Sequence, residues 1–282
     1  MKNFITQMDL VKNSSNDTNL LILDARAELA DASAGLNSFK ENHLKNAQFV
    51  SMEEIMTGKV GPHGGRHPLP DMTTFIETMK KLGMTDSSKV IIYDDGSLAM
   101  AGRLWWLLKY AGKNTVYVLE GGMNKWLENK LEVTDYVTEP VVSDSLRLTI
   151  NSSLLVDIHN VKSAVHLPDT VIVDSRTYER YSGQIEPLDA RPGHIPSAIN
   201  YPWTDLIRDG KLMNKEELEE RFEPLQKYKE VIVHCGSGIT GTVNILFMEE
   251  VGLNPKLYLG GYSDWVSYAN NKVETKNSFK KR

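Results

Sequence analysis

The chain has one cysteine, Cys235, in 282 residues. It cannot form an internal disulfide, so stability must come from packed cores. A reducing, cytoplasmic compartment is expected, where a lone thiol stays free. Long apolar runs are also missing. None approaches the ~20 residues that span a bilayer, so neither an integral membrane protein nor a membrane partner is expected. The opening MKNFITQMDLVKNSS has no unbroken apolar stretch and no small-residue cleavage site, and no signal peptide is read there. Positive charge is not in excess. Lys and Arg number 32 against 37 Asp and Glu, for a net charge of −5, which argues against a nucleic-acid partner. The chain is 41% hydrophobic and 24% charged, which excludes a disordered or collagen-like protein. Its length suits two domains of about 140 residues, each long enough to build a core.

The two halves repeat one another. LLILDAR at Leu20 answers to TVIVDSR at Thr170, and KENHLKNA around His43 to RPGHIPSA around His194. KVIIYDDG at Lys89 answers to EVIVHCGS at Glu230. LEGGMNKW, ending in Trp126, answers to LGGYSDW, ending in Trp265. The matches keep one order along the chain, as a duplicated domain requires. The expected division is an N-terminal domain at 1–135, an extended linker at 136–152 and a C-terminal domain at 153–282. The linker region holds Pro, Ser and Thr and has no helical period.

Each half alternates short apolar runs with helical patterns. Strands are expected at 20–23, 90–93, 116–119, 171–173, 231–234 and 256–259, as continuous runs buried on both faces. Helices are expected at 72–82, 101–110, 215–228 and 242–251, the last of them amphipathic. This alternation predicts an α/β fold of two parallel sheets flanked by helices.

A duplicated chain is its own control. Asp24 and Arg26, matched by Asp174 and Arg176, are expected to tie a strand end to a loop. His43 and His194, and the pairs Gly121–Gly122 and Gly260–Gly261, are likewise given structural roles. The halves differ most where Asp94 stands opposite Cys235. Cys235 is followed by Gly236, Ser237, Gly238, Ile239 and Thr240, and then by a helix. Two glycines let successive N–H groups form an anion-binding nest, and the helix N-terminus adds partial positive charge. Thiols at such sites ionise more readily than free cysteine and act as nucleophiles. A phosphatase loop of the His-Cys-(five residues)-Arg type would need Arg where Gly241 stands. A sulfur atom carried on the cysteine needs none.

These motifs together resemble the two-domain rhodanese-type sulfurtransferases over nearly the whole chain: DAR, IIYDDG and LEGGMNKW in one half, DSR, GHIPSAINYPW, HCGSGIT and LGGYSDW in the other. The resemblance implies two tandem rhodanese-like domains, the first catalytically silent. It implies a Cys235 persulfide that takes sulfur from a small donor and passes it to a thiol, cyanide or a thioredoxin-like acceptor. No metal or organic cofactor is implied. Thiosulfate-type loops resemble Cys-Arg-Lys-Gly-Val-Thr and mercaptopyruvate-type loops Cys-Gly-Ser-Gly-Val-Thr. CGSGIT follows the second. The family's carboxylate-binding Arg matches Arg180, and Arg191 is the candidate for a second, at a shorter spacing. His67 matches a family His that acts with the loop Ser, and Glu53 is the nearest acidic candidate beside it. His63 and His67 are spaced like a metal pair but have no third ligand, and a metal site is not expected. Three other readings stay open: a thiosulfate:cyanide sulfurtransferase, a sulfur carrier that docks a protein partner with little turnover of small donors, and a phosphatase or arsenate reductase.

Overall fold

A computed structural model describes residues 1–14 and 17–276 of the chain. The basic end KNSFKKR, read from the sequence as a solvated tail, lies outside the described residues beyond Lys276. The described residues form two compact units.

The first unit holds β1 (Phe4–Ile5), α1 (Gln7–Ser14), β2 (Leu20–Asp24), α2 (Ala34–Glu41), β3 (Gln48–Phe49), α3 (Met72–Lys81), β4 (Lys89–Tyr93), α4 (Ala99–Tyr110), β5 (Val116–Leu119) and α5 (Gly122–Glu128). Its sheet runs in the order β1-β5-β4-β2-β3, every pair parallel. Ile22 and Ile91 pack with Phe39, Leu119 and Trp126 in its core. α3 begins at Asp71, whose side chain accepts the Thr74 N–H.

The second unit holds β6 (Leu155–Val156), α6 (Ile158–Ala164), β7 (Thr170–Asp174), α7 (Tyr178–Ser182), β8 (Ile199–Asn200), α8 (Lys215–Phe222), β9 (Glu230–His234), α9 (Gly241–Glu250), β10 (Lys256–Tyr258) and α10 (Gly261–Ser267). The order β6-β10-β9-β7-β8 is again wholly parallel and repeats that of the first sheet. Ile172, Ile232, Tyr258 and Trp265 form the centre of its core. In both units the middle strand, β4 or β9, delivers the loop in which the halves differ, Asp94 or Cys235.

Two expectations need correction. The helix expected at 215–228 ends at Phe222 and tightens into a 3-10 turn over Glu223–Leu225. Pro224 has no N–H to donate and crowds the preceding turn, so the α-helix stops before it. α9 is not amphipathic, because every residue from Gly241 to Met248 is buried. It is buried on every side there, and the amide N–H groups of its polar Asn244 donate internally to Ser175 Oγ and the Tyr201 carbonyl. The compact units draw on more than one stretch of the chain. The loop Lys59–Pro68 from the first half belongs to the second unit, and the extended stretch up to Asn151 belongs to the first. That stretch is held by N–H bonds from Ser143 to the Lys80 carbonyl and from Asn151 to the Tyr110 carbonyl.

The repeated motifs have repeated geometry. His43 Nδ1 meets the Phe39 carbonyl at 2.7 Å, and His194 Nδ1 meets the Tyr181 carbonyl at 2.8 Å. Arg26 is paired with Asp24 and Arg176 with Asp174. The Trp126 and Trp265 indole N–H groups donate to Glu132 and Lys272 carbonyls.

Candidate active site

Cys235 follows the last residue of β9 and is 2% exposed. Gly238 lies in the left-handed region, with φ of 78°, where a side chain would be strained. This turn aims the Gly238 N–H at Cys235 Sγ, 3.2 Å away. α9 starts at Gly241 behind the loop, so its N-terminal partial charge faces the same space. Ser237 and Ile239 are buried with Cys235, and Thr240 is half-buried. The Gly260–Gly261 turn closes the back of the loop. The Tyr262 N–H donates to the Cys235 carbonyl at 2.8 Å, and the Ser263 N–H to the Gly236 carbonyl at 2.9 Å. A Cβ on Gly261 would sit 2.7 Å from the Cys235 carbonyl oxygen, so no larger residue fits there.

The first unit shows what such a loop holds. Asp94 occupies the position of Cys235 and fills the loop with its own carboxylate. Oδ1 accepts N–H bonds from Gly96 at 2.8 Å and Leu98 at 3.2 Å, and Oδ2 accepts one from Ala101 at 3.1 Å. Burial, and then the charge of Asp95, push Asp94 up to about 6 in spite of these three donors. A nest of inward N–H groups is thus built into the repeat. One copy has an acid in it, the other a thiol.

Charge around Cys235 comes from elsewhere in the sequence. Arg180, on α7, pairs with Glu186 at 2.7 Å and with Asp189 at 2.9 Å. Arg66 pairs with Asp189 as well. A Cβ on Gly236 would lie 3.0 Å from Arg66 Nη2 and 3.3 Å from Arg180 Nη1, so both guanidinium groups stand over the residue next to Cys235. No local sequence feature singles out Arg66, because nothing near it in the chain marks where its loop folds. His67, on the same loop, places Nδ1 2.8 Å from Ser237 Oγ. The loop is fastened to α10. Gly64 N–H donates to Asp264 at 2.7 Å, Arg66 N–H donates to Ser263 Oγ at 3.1 Å, and His63 bonds Ser267 Oγ and stacks on Tyr268.

Arg191 and Glu53 are not among these contacts. The Arg191 guanidinium donates to the carbonyls of Val266, Tyr268 and Asn271, at and beyond the C-terminal end of α10. Three backbone acceptors hold it there as a helix-end cap. Glu53 is an exposed residue of the first unit. His63 and His67 each serve a different serine, and no cluster of three or more His, Cys, Asp or Glu among the described residues is disposed to hold a metal ion.

Behind Cys235, His234 is fully buried, with Nδ1 3.0 Å from the Cys235 carbonyl. Burial holds His234 below the usual histidine range, so the ring is neutral at physiological pH. Asp174 is buried too, which would raise its pKa, yet the charge of Arg176 and the hydrogen bonds that Arg176 donates hold it down to about 2.

Comparison with known proteins agrees with this geometry. The rhodanese-like domain family matches residues 7–129 and again 157–268. The chain belongs to that family and is a two-domain rhodanese-type sulfurtransferase. It is similar to the 3-mercaptopyruvate sulfurtransferase of Escherichia coli K12, with 32% identity over 94% of this chain and 96% of that one. It is 30% identical to the human protein of the same name, over 82% and 79% of the two chains. The crystal structure of SseA from Escherichia coli superposes with a TM-score of 0.81 at 30% identity, covering 93% of this chain and 100% of that one.

Proposed function

We propose that the chain moves a sulfane sulfur from 3-mercaptopyruvate, through a persulfide on Cys235, to a thiol, cyanide or thioredoxin-like acceptor. The supporting observation is the charge balance over the Cys235 loop. Arg66 and Arg180 bring two cations, Glu186 and Asp189 bring two anions, and CGSGIT itself is neutral. A site balanced in this way suits a monoanion with a planar carboxylate better than the thiosulfate dianion. The names of the similar E. coli and human proteins point to the same donor.

The step balances without a cofactor. Cys235 Sγ attacks the donor sulfur, and an S–S bond forms as the donor C–S bond breaks. The electron pair leaves on pyruvate as its enolate, which then takes a proton. Ser237 Oγ, which is bonded to His67 Nδ1, donates a hydrogen bond to the developing enolate oxygen in this reading. N–H groups of the nest and the α9 terminus stabilise negative charge on the bound sulfur. A nucleophilic acceptor then attacks the outer sulfur, and Cys235 leaves as the thiolate. Arg180 holds the donor carboxylate. A reducing compartment such as the cytoplasm suits a lone reactive thiol. No helix among the described residues is long and apolar enough to cross a membrane.

The test is initial rates with 3-mercaptopyruvate and with thiosulfate, cyanide being the acceptor. The expected kcat/KM ratio favours mercaptopyruvate by at least about tenfold, roughly 1.4 kcal/mol of transition-state binding. A ratio in favour of thiosulfate would replace the donor. No turnover of either donor, with Cys235 still reactive, would leave the sulfur carrier as the better reading.

A further inference from the structure

We propose that Arg66 is a donor-binding residue, forming with Arg180 a two-arginine clamp for the carboxylate of an α-keto thiol acid, with Asp189 as the brace that positions both. This rests on the reading that Cys235 takes sulfur from such a donor. The sequence offered Arg191 as the second cation, but Arg191 is engaged by three carbonyls. Arg66, more than a hundred positions away in the chain, is the second guanidinium over the loop.

Five observations carry the clamp. Arg66 Nη2 and Arg180 Nη1 converge over Gly236, at 3.0 and 3.3 Å from where its Cβ would be. The opposite edges of the two groups grip one carboxylate, Arg66 Nη1 on Asp189 Oδ1 and Arg180 Nη2 on Asp189 Oδ2. The Asp189 side chain is 2% exposed, so its carboxylate is held by its surroundings, and a shared buried anion fixes both forks in one geometry. Arg66 and Arg180 themselves are 32% and 18% exposed, open enough for a ligand to reach. The loop bearing Arg66 is in turn fixed on α10 through Ser263, Asp264 and Ser267. Planar guanidinium edges held side by side match the two oxygens of a carboxylate.

The measurement compares 3-mercaptopyruvate with mercaptoacetone, which has the same thiol and ketone and a methyl group in place of the carboxylate. The readout is the ratio of kcat/KM for the two donors in the full chain, for wild type, Arg66→Ala and Arg66→Lys. In Arg66→Ala the ratio should fall at least tenfold, through KM for mercaptopyruvate, as expected for a lost charged hydrogen bond. Arg66→Lys should recover only part of it, because a point charge replaces a fork. A variant with a disturbed loop loses both donors together, the ratio stays at its wild-type value, and the proposal is overturned. A wild-type ratio in Arg66→Ala at full activity overturns it equally. A wild-type enzyme that turns over neither donor would instead sink the underlying donor reading, and the clamp with it.

Discussion

His67 Nδ1 lies 2.8 Å from Ser237 Oγ, so a residue of the Lys59–Pro68 loop bonds the third residue of the Cys235 loop. If the two act as one unit on the enolate oxygen, removing either removes the effect. His67→Ala and Ser237→Ala should each lower kcat/KM for mercaptopyruvate by roughly ten- to a hundredfold. The double variant should be no worse than the poorer single one. Additive losses in this cycle would mean that the contact only packs the loop.

Arg191 yields a contrasting prediction. Its guanidinium satisfies three carbonyls near the end of α10. Arg191→Ala should cost about 2 kcal/mol of stability in urea unfolding, while KM for mercaptopyruvate changes less than about twofold. A large rise in KM with stability intact would return Arg191 to the donor site.

Asp94 carries a third prediction. Asp94→Ala strips the acceptors from three N–H groups of the first unit and should destabilise that domain by about 2–4 kcal/mol, with turnover unchanged. The pH dependence follows from the sign of the shift. Asp94 is pushed up to about 6, above the ordinary value of ~3.9, so the unfolded chain loses this proton first. The group's contribution to stability therefore falls as pH rises from about 4 to about 6. Asp174 is held down to about 2. Its contribution, about 2 kcal/mol, is present above about pH 4 and is lost as pH falls towards 2. Urea unfolding of wild type and Asp94→Asn across this range checks both limbs. Asp94→Asn should lack the decline between about pH 4 and 6, and should keep the acid loss. A wild-type curve that rises from pH 4 to 6 would contradict the assignment.

The sequence was informative where the physics is local. β2, β4, β7 and β9 are continuous apolar runs because strands buried on both faces must be. The difference between Asp94 and Cys235 was visible because the rest of the repeat held constant around it. Two-residue edge strands such as β3 and β8 are too short to show a period. The end of α8 was legible in Pro224 but was outweighed by the charged helical pattern around it. The Arg66 position was hidden for another reason. The Lys59–Pro68 loop has no periodicity, and its fold is dictated by Ser263, Asp264 and Ser267, some 200 residues further along the chain. His67 was found through a resemblance, and its neighbour Arg66 had none to reveal it.

The central claim is that sulfur rests on Cys235 between the two half-reactions. Intact-mass measurement after 3-mercaptopyruvate is added without an acceptor tests it directly. Wild type should gain the mass of one sulfur atom and release one equivalent of pyruvate, and cyanide should then remove the added mass. Cys235→Ser should gain nothing. Equal gains in wild type and Cys235→Ser, or pyruvate released by both, would contradict the account.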